Sequence, residues 1–315
     1  MRPWTFVHAA DIQVGSPKSF RWAPAWKENW EQAKKQILEI RPDLMLVGGD
    51  ITRDGSIHRY ELEDMKADFN ALPFPVHVVP GNMDTGNKHT RVSGTHRRDD
   101  TQMEDLALNV NSHQLQQFRS VFGPLWWSFL HKGVRFSGFV DMVVNSGLPE
   151  EDAFWHWAED MTRLPPERHH VWVLHYPLFA DKADEPDWDI TVPEQYQDWY
   201  FTIDQPGRAR LIDLFKRTSA DIVISGHVHC HKVHEVDGIR FEIAPAVGFP
   251  QWPDRWPDGD ATLGFMRYDV SDGGIECSVI PLEKTSHAKG YGPGGHPAPH
   301  ARDYSIAWDK SARRS

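Results

Sequence analysis

The chain has very few cysteines, no long apolar run and no apolar leader at its amino terminus. Two cysteines, Cys230 and Cys277, cannot form a disulfide framework, so a reducing compartment is expected. No stretch approaches the ~18 consecutive apolar residues of a membrane-spanning helix. The first residues, MRPWTFVHAAD, resemble a strand rather than a secretory signal. The sequence therefore predicts a cytoplasmic protein that does not enter a membrane.

Long blocks of basic residues are also missing. The chain has 34 basic and 45 acidic side chains, and its formal net charge is −11. A general nucleic-acid binder would present a basic face, so the composition argues against a polynucleotide as substrate. What the chain has in quantity is histidine and tryptophan, with 18 and 14 residues respectively among 315. The 18 imidazoles are many candidate metal ligands.

Short apolar runs alternate with helical patterns in the first half of the chain. Apolar spacing predicts helices over residues 26–40 and 58–72, and strands over residues 4–10, 44–47 and 76–79. This β-α-β-α-β order predicts an α/β fold with a mostly parallel sheet and crossover helices.

The second half predicts a hairpin over residues 126–140, apolar strands at 171–174 and 222–224, and short antiparallel strands from residue 232 onward. Residues 177–205 show little periodicity and are too long for a simple connection, so we interpret them as a lid or substrate loop. We predict one domain over residues 1–283. A Gly/Pro/His-rich tail, residues 284–315, is expected to be irregular or partly mobile.

Five short polar segments follow predicted strands. They are Asp11-Ile12-Gln13, Gly48-Gly49-Asp50, Gly81-Asn82-Met83-Asp84, His175 and Gly226-His227-Val228-His229. Because ligands of open α/β sheets collect at the carboxyl ends of strands, all five can converge on one crevice. Carboxylate and amide oxygens mixed with imidazoles suit Mn²⁺, Fe or Zn²⁺ and can hold two ions close together.

These segments resemble, in order, the motifs of the calcineurin-like metallophosphoesterases, and the resemblance covers roughly residues 4–282. It implies a four-layer α/β/β/α sandwich with mixed sheets and a dinuclear centre in which Asp50 bridges two divalent ions. One ion would take Asp11, Asp50 and His229, and the other Asp50, Asn82, His175 and His227. A hydroxide that bridges the ions would attack phosphorus.

Two positions depart from the family pattern. Gln13 stands where the family usually has a metal-binding histidine; its amide oxygen can coordinate, more weakly than imidazole, and its role as a ligand stays open. We therefore expect the first ion, assigned to Asp11, Asp50 and His229, to be bound more weakly, and we expect the site to prefer Mn²⁺ over Zn²⁺. Met83 replaces the histidine expected beside the phosphate, and a thioether cannot donate a proton. We therefore expect aryl phosphates and phosphoanhydrides to be better substrates than alkyl esters.

Other residues have two open interpretations. Asp84, which the family uses to orient the missing histidine, is placed with Asp50 and Asn82 in the catalytic set, although holding the loop is its expected role. Arg53 is either a phosphate contact beside Asn82 or a surface residue. Trp252 and Trp256 either line a substrate mouth or cover the end of the sandwich.

The leading hypothesis is a metal-dependent phosphatase or phosphodiesterase acting on a small phosphoester or nucleotide. The alternative is a binding or scaffold module that retains metal with weakened catalysis, because Gln13 and Met83 both replace a histidine. The sequence leaves the oligomeric state open.

Overall fold

The computed structural model of the chain describes residues 2–89, 95–96, 103–104, 108–189, 192–251, 255–256 and 258–302. Its strands are β1 (Trp4–Ala9), β2 (Leu44–Gly48), β3 (Val76–Val79), β4 (Thr95–His96), β5 (Met103–Glu104), β6 (Trp126–His131), β7 (Val134–Phe139), β8 (His169–Val173), β9 (Ile222–Ser225), β10 (Lys232–Val236), β11 (Ile239–Ile243), β12 (Gly264–Ser271) and β13 (Gly274–Pro281). Its α-helices are α1 (Pro24–Ile40), α2 (Arg59–Asn70), α3 (Asn82–Thr85), α4 (Ser112–Phe122), α5 (Pro149–Met161), α6 (Pro193–Phe201) and α7 (Gly207–Arg217).

Two mixed sheets face each other. One has the order β13-β12-β1-β2-β3 and the other β10-β11-β9-β8-β7-β6. Strands β1, β2 and β3 are parallel, as are β7, β8, β9 and β11, while the outer strands β6, β10 and β13 pair antiparallel with their neighbours. The predicted β-α-β-α-β unit is confirmed as β1-α1-β2-α2-β3.

Alternate residues of each strand enter different cores, which is the period of two expected for a strand. In β1, Phe6 points into a core between the two sheets, where it meets Phe136 and Tyr268. Its neighbour Val7 lies in a second core beneath the helices, together with Trp30 of α1. Apolar surface on both faces of both sheets is thus buried, and the four-layer α/β/β/α sandwich is confirmed.

Parallel strands fix the position of the polar segments. Strands β1, β2 and β3 end with their carboxyl ends at one edge of the first sheet, and β8 and β9 do the same in the second. An isolated parallel bridge between Ala10 and Ala246 links the two edges. The segments that follow these strands therefore meet in one crevice.

The segment over residues 177–205 contains a helix that the sequence pattern did not indicate. Helix α6 begins at Pro193, a favoured first helical residue, and ends at Phe201. Trp199 and Phe201 near its carboxyl end are buried.

The described part of the tail packs against the start of α1. The N–H of Ser286 donates to Asn29, and the N–H groups of Arg21 and Ala25 donate to carbonyls of residues 293 and 288. No helix in the described ranges combines the length and apolar character that crossing a membrane requires.

Candidate metal centre

Each polar side chain of the crevice stands just beyond the end of a strand. Asp11 follows β1, Asp50 follows β2, and Asn82 opens the short helix α3 after β3. His175 follows β8, and His227 and His229 follow β9. All six side chains are at least nine-tenths buried, so the structure brings together the residues that the motifs singled out.

Three imidazoles have their tautomers set by backbone carbonyls. Nδ1 of His175 lies 2.8 Å from the oxygen of Gly48, and Nδ1 of His229 lies 2.7 Å from that of Phe249. Nε2 of His227 lies 3.1 Å from the oxygen of Tyr200. A nitrogen that faces a carbonyl must donate, so the other nitrogen of each ring carries a lone pair when the imidazole is neutral.

Those lone pairs converge on each other and on oxygen acceptors. Nε2 of His175 is 3.1 Å from Nδ1 of His227, and 3.1 Å from Oδ1 of Asn82. It is also 3.3 Å from Oδ1 of Asp50. Acceptors packed this closely repel one another unless a cation lies between them.

Two groups of potential ligand atoms result, each with its atoms within 4.8 Å of one another. One group is Asp50, His175 and His227, and the other is Asp11, Asp50 and His229. In the second group, Oδ1 of Asp11 is buried without a hydrogen bond, although Nε2 of His229 lies only 3.2 Å away. A buried carboxylate oxygen beside an imidazole nitrogen offers the ligand atoms that a divalent cation takes when it displaces the proton of the ring.

The charges of the site reflect burial and crowding. Burial, together with the charge of Asp11, raises the pKa of Asp50 to about 8. Burial also lowers the pKa of His227 well below its ordinary value, and His175 adds to the effect. Burial alone would raise the pKa of Asp11, but His229 outweighs it and holds that pKa low, while Asp11 holds the pKa of His229 high. Without metal, Asp50 therefore keeps a proton that a cation would replace.

Gln13 lies between Asp50 and Arg53. Its Nε2 donates to Oδ2 of Asp50 over 2.7 Å, and its Oε1 accepts from Nη1 of Arg53 over 2.7 Å. Arg53 determines this amide orientation, since a guanidinium cannot accept and must therefore face the oxygen of the amide. Coordination through Oε1 would require the amide to turn and to break both bonds.

Arg53 is buried, so the interpretation as a surface residue is wrong. Only 8% of the residue is exposed. Its Nε donates to the carbonyl of Phe20, and its guanidinium lies 5.0 Å from the ring of Trp26 and 5.8 Å from that of Phe249. An aromatic enclosure of this kind holds the cation beside Gln13.

Asn82 presents its two amide atoms in opposite directions. While Oδ1 faces His175, Nδ2 donates to Oδ1 of Asn87 at 3.0 Å and to the hydroxyl of Tyr200 at 3.1 Å. The sulfur of Met83 lies 3.4 Å from the same nitrogen. Motif reasoning missed Tyr200, and its only sequence signal is its place inside the segment interpreted as a lid or substrate loop.

Asp84 joins two of the loops. Its carboxylate accepts from the N–H groups of Gly81 at 2.8 Å, Ile51 at 3.1 Å and Thr52 at 2.9 Å, and from the Thr52 hydroxyl at 2.6 Å. Burial raises its pKa to about 6. These bonds fix the loop after β3 against the loop after β2, in agreement with the loop-holding role expected for Asp84.

Two glycines allow the loops to approach. A Cβ on Gly81 would lie 2.1 Å from Oδ1 of Asp50, and one on Gly226 would lie 2.7 Å from Oδ2 of Asp11. Both distances are far below a van der Waals contact, so only glycine permits this convergence.

Trp256 is buried against Phe201, with ring centroids 4.9 Å apart and 7% of the residue exposed. It therefore packs against the last residue of α6. Trp252 lies outside the described residues.

Comparison with known proteins gives a consistent result. The sequence profile of a family described as calcineurin-like phosphoesterase matches residues 5–231. A zebrafish (Danio rerio) protein named serine/threonine-protein phosphatase CPPED1 is 28% identical over 316 aligned residues, which cover 90% of this chain and 86% of the relative.

Solved structures share the fold at low identity. Purple acid phosphatase PPD1 from yellow lupin (Lupinus luteus) seeds has a TM-score of 0.60 at 13% identity, over 90% of this chain and 52% of that chain. GAP50, described as the anchor in the inner membrane complex of Plasmodium, has a TM-score of 0.57 at 14% identity, over 90% and 86% of the two chains. Identities this low establish the architecture alone.

Proposed function

The chain belongs to the calcineurin-like phosphoesterase family, and from that premise we propose that it hydrolyses a phosphoester at a dinuclear site, with a hydroxide shared by two ions as nucleophile. The family and the phosphatase relative support a metal-dependent phosphoesterase. The dinuclear mechanism is the step that we add.

One observation carries the proposal: Asp50 belongs to both groups of ligand atoms. A carboxylate has two oxygens, so a single aspartate can face one cation on each side. Oδ1 of Asp50 lies beside His175, and Oδ2 lies on the side of Gln13. This shared carboxylate would hold two ions at the short separation that two-metal hydrolases use.

The surrounding residues prepare the site for an anion. Two divalent ions, when bound, acidify a water between them and neutralise a phosphate. Asn82 would contribute a neutral oxygen to one ion and so add no negative charge. The carbonyls of Gly48, Phe249 and Tyr200 keep the three imidazoles in the tautomers that coordination needs.

We propose Mn²⁺ as the preferred metal. Gln13 supplies an amide where an imidazole would favour Zn²⁺, and its oxygen accepts from Arg53. Metal analysis after exhaustive dialysis against zinc-free buffer should find less than two equivalents of zinc. Two full equivalents would contradict the proposal.

We propose a small phosphoester or nucleotide as substrate, with aryl esters and anhydrides ahead of alkyl esters. Met83 supplies no proton to a leaving oxygen, and alkoxides need that proton most. The name of the zebrafish relative, a serine/threonine-protein phosphatase, adds a phosphoserine peptide to the substrates worth testing.

The test is turnover of p-nitrophenyl phosphate, its bis ester and a phosphoserine peptide over a panel of Mn²⁺, Fe²⁺ and Zn²⁺. Wild-type protein should be active, and Asp50→Asn should lose at least about 100-fold, because it removes the shared charge. The matched control is Asp237→Asn, an exposed carboxylate that pairs with Lys216. Zero turnover with any metal would favour the metal-retaining binding module instead.

A further inference from the structure

Tyr200 brings a hydroxyl to the site from a segment that carries none of the motifs. It lies on the last turn of α6. Its carbonyl accepts from Nε2 of His227 at 3.1 Å, and its ring lies 5.0 Å from that imidazole. Tyr200 therefore covers the side of the crevice where His227 and Asn82 lie.

The hydroxyl of Tyr200 and the sulfur of Met83 both contact the amide nitrogen of Asn82. Nδ2 of Asn82 is 3.1 Å from the Tyr200 oxygen and 3.4 Å from the sulfur of Met83. Both side chains therefore converge on a single atom. The phenol can donate a hydrogen bond, whereas the thioether of Met83 cannot.

The segment that carries Tyr200 is held in place by a buried lysine. Nζ of Lys88 donates to the carbonyls of Trp199 and Thr202, which flank Tyr200 and Phe201, and lies 3.2 Å from Oδ1 of Asp204. Only 5% of Lys88 is exposed. A donor fixed in this way loses little conformational entropy when a ligand binds.

Asn82 and Tyr200 together form a pair of neutral donors beside the candidate metal ligands. The amide nitrogen donates to Asn87 and to the oxygen of the phenol, the phenol is itself a donor group, and one amide group separates it from Nε2 of His175. Phosphate oxygens are strong acceptors, and hydrogen bonds to charged groups are stronger than those between neutral groups.

We propose that the hydroxyl of Tyr200 binds the phosphoryl group of the substrate by donating a hydrogen bond to a non-bridging oxygen beside Asn82. This assignment rests on the proposed function of the same site. No proton is transferred, and the leaving oxygen takes its proton from solvent.

The experiment compares Tyr200→Phe with wild-type protein, both loaded with Mn²⁺. The substitution removes one oxygen, and Asn82 keeps Asn87 as an acceptor. Calorimetric titration with orthophosphate should show a dissociation constant about tenfold higher. The kcat/KM should fall by a similar factor for both p-nitrophenyl phosphate and phenyl phosphate. Tyr291→Phe, at an exposed tail position, makes the same chemical change and should leave both quantities within twofold of wild type.

Three outcomes would overturn the assignment. Unchanged orthophosphate binding and unchanged kcat/KM in Tyr200→Phe would show that the hydroxyl does not touch the phosphoryl group. A loss confined to phenyl phosphate, with unchanged orthophosphate binding, would place the hydroxyl at the leaving oxygen instead. A wild-type protein that neither binds orthophosphate nor turns over a substrate would overturn the proposed function as well, which the first two outcomes leave intact.

Discussion

Several side chains of the site stand on left-handed backbone. The positive φ angles are 53° at Asp11, 57° at Gln13, 47° at Asp50, 68° at His227 and 56° at His229. Such a conformation costs a residue other than glycine about 1–2 kcal/mol. Backbone bonds hold it, since the N–H of Asp11 donates to Gly49 and that of Gln13 donates to Asp50. The strained backbone conformation at these residues thus directs their side chains into one crevice.

At the level of single residues, the replacement Met83→His should raise activity. Met83 is half-buried, and its N–H donates to Oδ1 of Asp50 over 2.9 Å, so residue 83 lies beside the carboxylate that we propose to bridge the two ions. An imidazole there can protonate a leaving oxygen, an effect that is worth about 10²–10⁴-fold in suitable sites. We expect the largest gain in kcat for an alkyl phosphate and a small gain for p-nitrophenyl phosphate.

The control for this substitution is Met83→Leu, which also changes the shape of the side chain but, unlike Met83→His, adds no proton donor. It should leave the ratio of alkyl to aryl activity unchanged. An equal ratio in Met83→His and Met83→Leu would show that the leaving group needs no acid at this position.

At the level of elements, α6 depends on a contact from a distant loop. Lys88, shortly after α3, donates to two carbonyls at the carboxyl end of α6. Helix ends leave carbonyls without partners inside the helix, and a cation there also interacts favourably with the helix dipole. Burial lowers the pKa of Lys88, whereas Asp204 acts to raise it. Lys88 therefore connects the end of α6 to the segment that follows Asn82 and α3.

We expect Lys88→Met to destabilise the protein by about 3 kcal/mol, because two carbonyls and Asp204 lose a buried cationic partner. Urea unfolding measures the change in the free energy of unfolding. Hydrogen exchange should locate the loss of protection in residues 192–204. Since Tyr200 lies in this segment, phosphate binding should weaken as well.

Lys216→Met is the matched control, because Lys216 is half-exposed and pairs with the exposed Asp237. Exposed pairs contribute about 0–1 kcal/mol, so this variant should stay close to wild type. Equal unfolding free energies for the two variants would contradict the proposed role of Lys88.

At the level of the whole molecule, buried titratable groups make stability depend on pH. Burial raises the pKa of Asp50 to about 8 and that of Glu61 to about 7. These carboxyls bind protons more tightly in the folded state, so the stability they give is present below about pH 4 and is lost as the pH rises toward 8. Buried histidines act in the opposite sense: burial lowers the pKa of His8 to about 3, and its contribution is lost below about pH 6.5.

Between pH 6.5 and 8, the carboxyls of Asp50 and Glu61 still make stability fall as the pH rises. The buried histidines contribute equally to wild type and to Asp50→Asn, so metal-free wild-type protein should lose about 1.5 kcal/mol more stability over this range than Asp50→Asn. Added Mn²⁺ should stabilise the protein increasingly as pH rises, because a cation replaces the proton on Asp50. Urea unfolding at pH 6.5 and 8, with and without metal, measures both trends.

The Asp50→Asn variant provides the control, since an amide does not titrate. Its metal-free form should show a smaller loss of stability between pH 6.5 and 8. If wild type and Asp50→Asn follow the same pH dependence, the carboxyl of Asp50 is not the titrating group.

The cytoplasmic location stays a prediction of the sequence.

The sequence by itself determined the β-α-β-α-β order, and its motifs implied the four-layer architecture and the ligand sets through their resemblance to a known family. Short apolar runs and helical patterns located the strands of this unit, and the rule for the carboxyl ends of parallel strands brought Asp11, Asp50 and Asn82 together. The convergence of these residues could be predicted because the local apolar pattern shows where each strand ends. The chain direction then shows at which edge of a parallel sheet that end lies. Gly81 and Gly226 then let the loops approach.

Tertiary structure alone decided the roles of Gln13, Arg53 and Tyr200. The orientation of the Gln13 amide depends on Arg53, and the burial of Arg53 depends on aromatic rings contributed by three separate segments. Tyr200 reaches Asn82 across 118 positions of sequence, on a helix whose end is held by Lys88. Such contacts cannot be predicted from motif spacing, because they form only when distant parts of the chain are packed together.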